Sequence, residues 1–303
     1  MSARSSQSCW RYSKVKFVTY INEGESAVGV LNAAETAVIP TSELGLKAQS
    51  MNELIDELNG SLPTVPSGAK ELPLAAVKLN APIPEPKQDV ICLGLNYRDH
   101  AEEATRADAV FDVQRGDAVY FSKRLNKAVA TNDTIDGHFD ICDSLDYEVE
   151  LGVIIGKDAK NVKAADAAEY IFGYTIINDV SARNLQTRHK QWYFGKSLDG
   201  FTPMGPCILS AEELGAMPEL DIRCYVNGEL RQNSNTRMMI FDIPYIIEEL
   251  SAGMTLKAGT VIATGTPSGV ALGMDPTVRQ YLKSGDIVRC EIDGLGILEN
   301  TIG

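Results

Sequence analysis

The sequence predicts a β-rich protein of mixed α/β class, and two observations support this. Short segments in which apolar and polar residues alternate, or apolar residues run together, recur between residues 15 and 292 of the 303-residue chain. Segments with a helical pattern are fewer, and the clearest are residues 50–58 and 164–172. Strands are therefore expected to outnumber helices.

The composition is that of an ordinary globular protein, with 44% hydrophobic and 23% charged residues. A net charge of −13 argues against nucleic acid or an anionic membrane surface as a partner. No apolar run approaches the roughly 18 residues of a membrane span. The six cysteines are scattered without any C-x-x-C, so we interpret them as small core residues in a reducing compartment. We expect a cytoplasmic protein, although the basic, serine-containing first 16 residues leave a mitochondrial location as an alternative.

The chain is predicted to divide near residue 80. Residues 59–88 contain six prolines and two glycines, which is typical of a boundary followed by an extended linker. Before it lie a leading segment expected to be disordered, strand-like residues 15–20 and 27–31, and the helical segment 50–58 behind Ser50. We therefore expect a small N-terminal domain at residues 1–80 and a main domain at residues 81–303.

The most informative stretch is LDYEVELGVIIGK, beginning at Leu145. Its alternation predicts a strand, on which Glu148 and Glu150 point to the same face, with a positive group between them. Asp179 ends a second strand-like run, residues 173–178, just before the helix-like residues 181–191. Three carboxylates without His or Cys suit a hard cation such as Mg²⁺ or Mn²⁺. The alternative is that the two glutamates are only the solvent-exposed face of an amphipathic strand.

Further candidates flank this stretch. His100 and Glu103 are three residues apart after an apolar strand, so on a helix the carboxylate could orient the imidazole. The charged residues 105–116 that follow are typical of a mobile lid. Lys196 follows three aromatic residues, a setting that could lower its pKa or direct its charge at an oxyanion. The glycine- and proline-rich turn at Thr266 could bind an anion or be purely structural.

Two nucleotide-binding motifs are excluded. The sequence GKS at residues 195–197 imitates the end of a phosphate-binding loop, but that loop requires glycine where this chain has Lys190. No G-x-G-x-x-G follows a strand, so a nicotinamide site is unsupported.

Six segments, in order, resemble motifs of the fumarylacetoacetate hydrolase superfamily. The resemblance spans roughly residues 82–303 and is greatest to the branch of acylpyruvate hydrolases, oxaloacetate decarboxylases and 2-hydroxyhepta-2,4-diene-1,7-dioate isomerases. It implies a rolled β-sheet catalytic domain, a homodimer and a divalent metal. The segments are ICLGLNYRDHAEE, LDYEVELGVIIGK, GYTIINDVSARNLQ, QWYFGKSLDGFTPMGP, VNGELRQ and ATGTPSGV.

The resemblance also implies residue roles. The residues that match the family's metal ligands are Glu148, Glu150 and Asp179. Those that match its catalytic groups are His100, Glu103 and Lys196. Those that match its substrate-side positions are Arg183, Gln186 and Thr266. The longer hydrolase that gives the family its name has an additional upstream aspartate ligand. CLGLNYRDHAEE offers no clear equivalent, which points away from fumarylacetoacetate itself as the substrate.

The activity implied is divalent-metal-dependent cleavage of a C–C bond in a small, anionic 2-oxo acid or diacid by way of an enolate. An acylpyruvate- or fumarylpyruvate-type hydrolase and an oxaloacetate decarboxylase would share that enolate, so the sequence does not separate them. The alternatives are an isomerase or hydratase of 2-hydroxy-dienedioates and, from another class, a non-catalytic metal-dependent binding protein.

Overall fold

The structure, a computed structural model, describes residues 14–106, 116–212 and 214–303. Within these ranges, strands greatly outnumber helices. The strands are β1 Lys16–Asn22, β2 Glu25–Leu31, β3 Ala37–Pro40, β4 Leu72–Pro73, β5 Lys78–Leu79, β6 Val90–Gly94, β7 Val119–Lys123, β8 Thr134–Ile135, β9 Leu145–Asp146, β10 Val149–Ile155, β11 Ile171–Asn178, β12 Ser181–Ala182, β13 Met204–Ser210, β14 Asp221–Val226, β15 Glu229–Asn235, β16 Val261–Ala263, β17 Ile287–Ile292 and β18 Gly296–Ile302. The α-helices are α1 Met51–Leu58, α2 Arg98–Arg106, α3 Arg183–Arg188, α4 Tyr193–Lys196 and α5 Ile243–Gly253.

Most strands belong to one large sheet, in the order β4-β3-β2-β1-β13-β11-β10-β16-β6-β7, with β5 beside β1. Its pairs are antiparallel except β16 with β6. A second sheet has the order β15-β14-β17-β18-β8, and β9 pairs with β12 in a small third sheet. The predicted β-rich, mixed α/β class is confirmed.

The strand that carries the carboxylates differs from the prediction in two ways. It is broken, because β9 ends at Asp146 and pairs with β12, while β10 begins at Val149 and pairs with β11. Tyr147 and Glu148 lie in the break. In addition, every residue of β10 is buried, so the alternative of a solvent-exposed carboxylate face is wrong.

The local predictions for helices have mixed outcomes. Helix α1 is confirmed, and the hydroxyl of Ser50 caps it by accepting a hydrogen bond from the Glu53 N–H. The helix expected at residues 181–191 is the shorter α3. The segment expected as a helix at residues 164–172 is a 3₁₀ helix at Ala164–Tyr170, and β11 begins directly afterwards at Ile171 because that residue already pairs with β10.

The N-terminal strands join the same large sheet as the rest of the chain, because β1 pairs with both β2 and β13. The rings of Phe17 on β1 and Phe172 on β11 pack with their centroids 4.6 Å apart. The domain division near residue 80 stays a prediction. The five cysteines within the described residues are buried and free, whereas Cys9 and residues 107–115 of the expected lid lie outside those residues. None of the described helices is long and apolar enough to cross a membrane.

Candidate active site

The three predicted metal ligands converge at the centre of the large sheet. Glu148 precedes β10, Glu150 lies on it, and Asp179 directly follows the neighbouring strand β11. All three side chains are buried, and one carboxylate oxygen from each lies within 4.8 Å of the others. Glu150 is also held by the backbone, because its Oε2 accepts a hydrogen bond from the Gly265 N–H at 2.8 Å.

Two buried lysines neutralise part of this acidic cluster. The Lys196 ammonium group bridges Glu148 and Asp179, at 2.6 Å from Oε2 of the first and 2.7 Å from Oδ2 of the second. The Lys123 ammonium group donates to the other oxygen of Asp179 and to the Val180 carbonyl oxygen. A positive group was predicted between Glu148 and Glu150, whereas Lys196 lies between Glu148 and Asp179.

Arg183 connects the cluster to a fourth carboxylate. Its Nη2 lies 2.5 Å from Glu148 Oε1, its Nε lies 2.8 Å from Asp146 Oδ2, and its Nη1 donates to Gln186 Oε1 at 3.0 Å. With all groups ionised, the four carboxylates and the three cations Lys123, Lys196 and Arg183 sum to a formal charge of −1.

The electrostatics separate the two glutamates. Burial would raise the pKa of Glu148, but Arg183 and Lys196 overcome this and lower it to about 2. Burial, Asp179 and Glu148 together raise the pKa of Glu150 well above the ordinary value. Burial would lower the pKa of Lys196, but Asp179 and Glu148 raise it, so the prediction that apolar neighbours could lower this pKa is wrong.

His100 and Glu103 share one face of α2, as predicted. His100 Nδ1 lies 3.1 Å from Glu103 Oε2, and both oxygens of Glu103 accept hydrogen bonds from the Gly269 N–H, at 3.0 and 3.2 Å. Glu103 therefore ties α2 to the turn that follows β16.

A single cavity collects eight of the nine predicted site residues. Asp179 is the ninth, and it lies behind the wall, where it contacts Lys196. The lining combines polar residues with an apolar wall formed by residues such as Leu93, Phe121 and Trp192. The predicted residues in the lining are His100, Glu103, Glu148, Glu150, Arg183, Gln186, Lys196 and Thr266.

Comparison with known proteins agrees with this geometry. The family model for the C-terminal part of fumarylacetoacetate hydrolase matches residues 89–303. The chain belongs to the fumarylacetoacetate hydrolase family. It is 46% identical over 230 residues to oxaloacetate tautomerase YisK of Bacillus subtilis, which covers 76% of this chain and 74% of that relative. It is 43% identical over 243 residues to a fumarylacetoacetate hydrolase domain-containing protein 2 homolog of Dictyostelium discoideum. That match covers 77% of this chain and 76% of the relative.

Solved structures of the family show the same fold. The fumarylacetoacetate hydrolase of Exiguobacterium antarcticum superposes with a TM-score of 0.82 at 39% identity, over 95% of this chain and 99% of that one. A 2-hydroxyhepta-2,4-diene-1,7-dioate isomerase of Mycobacterium marinum gives a TM-score of 0.71 at 29% identity, over 95% and 98%. The prediction of a fumarylacetoacetate hydrolase family enzyme is confirmed, and the non-catalytic alternative is set aside.

The residues present fit the divalent metal that enzymes of this family generally use. Glu148, Glu150 and Asp179 offer three hard oxygen ligands within reach of one ion, and the formal charge of −1 on the four carboxylates and three cations together favours a cation. A divalent ion would bring that charge to +1, which suits an anionic substrate.

Three further residues contact the site, and the sequence analysis did not predict them as site residues. Lys123 did leave a signal, since it follows Val119 and Phe121 at the strand period of two. Asp146 shares the alternation of Glu148 and Glu150. Gln232 ends the segment VNGELRQ, which resembles a family motif but was given no role. It reaches the site from β15 of the other sheet, where it accepts a hydrogen bond from the Val149 N–H and donates to the Thr266 hydroxyl.

Thr266 is held by structural hydrogen bonds. Its hydroxyl donates to the Val149 carbonyl oxygen at 2.9 Å and accepts from Gln232 at 2.8 Å. These bonds favour the structural alternative for the turn, although Thr266 also lines the cavity. Its role toward substrate stays a prediction.

Proposed function

We propose that the chain interconverts the keto and enol forms of a small 2-oxo diacid, with oxaloacetate as the first substrate to test. The observation that carries this proposal is that the His100–Glu103 pair lines the same cavity as Glu148 and Glu150 of the acidic cluster. A group that can exchange a proton therefore shares a cavity with groups that can stabilise an enolate. The name of the Bacillus subtilis relative supports the choice of substrate.

Each residue has a definable task in this reaction. Glu148, Glu150 and Asp179 would hold Mg²⁺ or Mn²⁺, which supplies Lewis-acid polarisation of the 2-oxo group when bound. Lys196 donates to the negative charge that develops on the enolate oxygen. Arg183 and Gln186 also line the cavity, where they bind the substrate carboxylate.

The proton is moved by His100. Its Nδ1 donates to Glu103, which leaves the Nε2 lone pair able to accept a proton from the carbon next to the carbonyl group. The protonated Nε2 then gives this proton to the enolate oxygen, which yields the enol, and the reverse transfers convert the enol to the keto form. Glu103, itself fixed by the Gly269 N–H, holds the ring in this tautomer.

A second candidate is C–C cleavage of the same class of substrate, as an acylpyruvate hydrolase or an oxaloacetate decarboxylase. The apolar lining residues Leu93, Phe121 and Trp192 favour the acylpyruvate hydrolase, because they suit an acyl group better than a second carboxylate. Each reaction develops negative charge on a 2-oxo oxygen, on the enolate of oxaloacetate in tautomerisation and on the enolate of pyruvate in cleavage, so Lys196 keeps its task. In the hydrolase, His100 would instead deprotonate the water that attacks the acyl carbon. A homodimer stays a prediction.

The test is to follow enol-oxaloacetate, acetylpyruvate and fumarylpyruvate with metal-stripped protein, before and after adding Mg²⁺ or Mn²⁺. Metal-dependent tautomerisation without release of pyruvate supports the proposal. Metal-dependent release of pyruvate supports the second candidate. If metal binds and the wild-type protein catalyses neither reaction faster than the His100→Ala variant does, both candidate functions are wrong.

A further inference from the structure

Asp146 lies outside the metal cluster, yet its buried carboxylate has more hydrogen bonds than any of the predicted ligands. Oδ2 accepts from Arg183 Nε at 2.8 Å and from the Leu272 N–H at 2.9 Å. Oδ1 accepts from the Ala271 N–H at 2.8 Å and from the N–H of Tyr147 at 2.9 Å. The side chain is wholly buried. Two separate parts of the active site therefore meet at one carboxylate.

The first part is the acidic cluster, which Asp146 contacts through Arg183. The guanidinium group of Arg183 lies between Asp146 and Glu148 and binds an oxygen of each. Its orientation is fixed by the Asp146 bond, and it in turn fixes the Glu148 carboxylate.

The second part is the His100–Glu103 pair, which Asp146 contacts through residues 268–273, here called the bridging segment. The Gly269 N–H donates to Glu103, and the Ser268 hydroxyl donates to Asp99 on α2 at 3.1 Å. Gly273 packs so closely against Glu103 that an added Cβ would lie 2.1 Å from the Glu103 Cδ. Ala271 and Leu272, between these contacts, donate to Asp146.

We propose that Asp146 is a positioning residue that holds the acidic cluster and the His100–Glu103 pair in a fixed relative arrangement. It acts through Arg183 on one side and through the bridging segment on the other. The proposal concerns the same site as the proposed function, but it makes predictions about metal binding and backbone dynamics that need no turnover.

The decisive variant is Asp146→Asn, which keeps the shape of the side chain. The amide nitrogen of asparagine cannot accept a hydrogen bond, so at least one of the groups that now donate to Asp146 would lose its acceptor. The loss of the negative charge leaves more of the Arg183 charge directed at Glu148. Calorimetric titration of the metal-free protein with Mn²⁺ should then give an affinity lower by about 10- to 100-fold, the usual range for outer-shell partners of metal ligands.

The second measurement is hydrogen exchange of the same metal-free variant. Amides of α2 and of the bridging segment should exchange faster than in the wild type, whereas the control Asp140→Asn, at an exposed aspartate in the preceding turn, should change neither exchange nor Mn²⁺ affinity. Weaker Mn²⁺ binding with unchanged exchange in α2 would overturn the proposal, as would faster exchange with unchanged affinity.

A measurement on the wild type covers the case in which Asp146→Asn does not fold. Binding of Mn²⁺ fixes Glu148, and through Arg183 and Asp146 it should slow exchange at Gly269, Ala271 and Leu272. If exchange there is the same with and without saturating Mn²⁺, the proposed connection does not exist. If Mn²⁺ binds as expected but no substrate turns over, the proposed function fails while this inference stands.

Discussion

At the scale of single residues, Lys123 shows how strongly this site depends on paired charges. Its ammonium group is fully buried against Asp179 and the Val180 carbonyl oxygen. Burial lowers the pKa of Lys123 despite the opposing effect of Asp179. Both side chains are fully buried, so bulk solvent does not replace a partner that either of them loses.

We expect Lys123→Met to destabilise the metal-free protein by about 3–5 kcal/mol, because it leaves a buried carboxylate with one of its two cations removed. Urea unfolding measures this. Saturating Mn²⁺ should recover part of the loss, since the ion neutralises Asp179. The matched control, Lys127→Met at an exposed lysine, should change the free energy of unfolding by less than about 0.5 kcal/mol. Equal effects of the two variants would contradict this account of Lys123.

At the scale of elements, the end of β6 forms the apolar wall of the cavity. The last residue of the strand, Gly94, lies against the indole ring of Trp192, and an added Cβ would lie 2.3 Å from a ring carbon. The same ring packs edge-on against Phe121 of β7, with centroids 5.1 Å apart. The close approach of Trp192 to the sheet therefore requires glycine at this position.

Gly94→Ala should displace the Trp192 ring. We expect a loss of stability of about 1–3 kcal/mol from overpacking, and a fall in kcat/KM of about tenfold or more because the wall of the cavity moves. Thermal unfolding and steady-state kinetics measure the two effects. Gly253→Ala at the end of α5 is the control, because a Cβ there meets nothing within 4 Å, and stability should stay the same or rise by up to about 1 kcal/mol. Normal kinetics for Gly94→Ala would show that the wall tolerates a shifted indole.

At the scale of the whole molecule, the large sheet connects the N-terminal strands to the site. Strand β1 pairs with β13, β13 with β11, and β11 with β10, which carries Glu150. Phe17 is fully buried on β1 and packs against Phe172 of β11. Few intermediate elements separate residues 15–40 from the acidic cluster.

We expect this sheet to unfold as one cooperative unit. Phe17→Ala should then lower the free energy of unfolding by about 3–5 kcal/mol, as seen by Trp192 fluorescence in a Trp10→Phe background as well as by circular dichroism. Phe139→Ala, at a phenylalanine that is 44% exposed, should cost less than about 1 kcal/mol. A Trp192 transition that Phe17→Ala does not move would show that residues 1–80 unfold independently.

The sequence by itself determined the β-rich class, and it identified the three candidate metal ligands and the His100–Glu103 pair. These features are local: alternation places Glu148 near Glu150, a spacing of three places His100 beside Glu103, and a strand end places Asp179. The family motifs added Lys196, Arg183, Gln186 and Thr266, because their order along the chain is readable without knowing their contacts.

Only the tertiary structure decided which charges neutralise one another and which elements hold them. Lys123, Asp146 and Gln232 reach the site from three different sheets, and no local period relates them. The break between β9 and β10 was also hidden, since the same alternation continues through it while the two halves pair with different strands. Burial and pairing depend on residues distant in sequence, so they become visible only once the sheets have assembled.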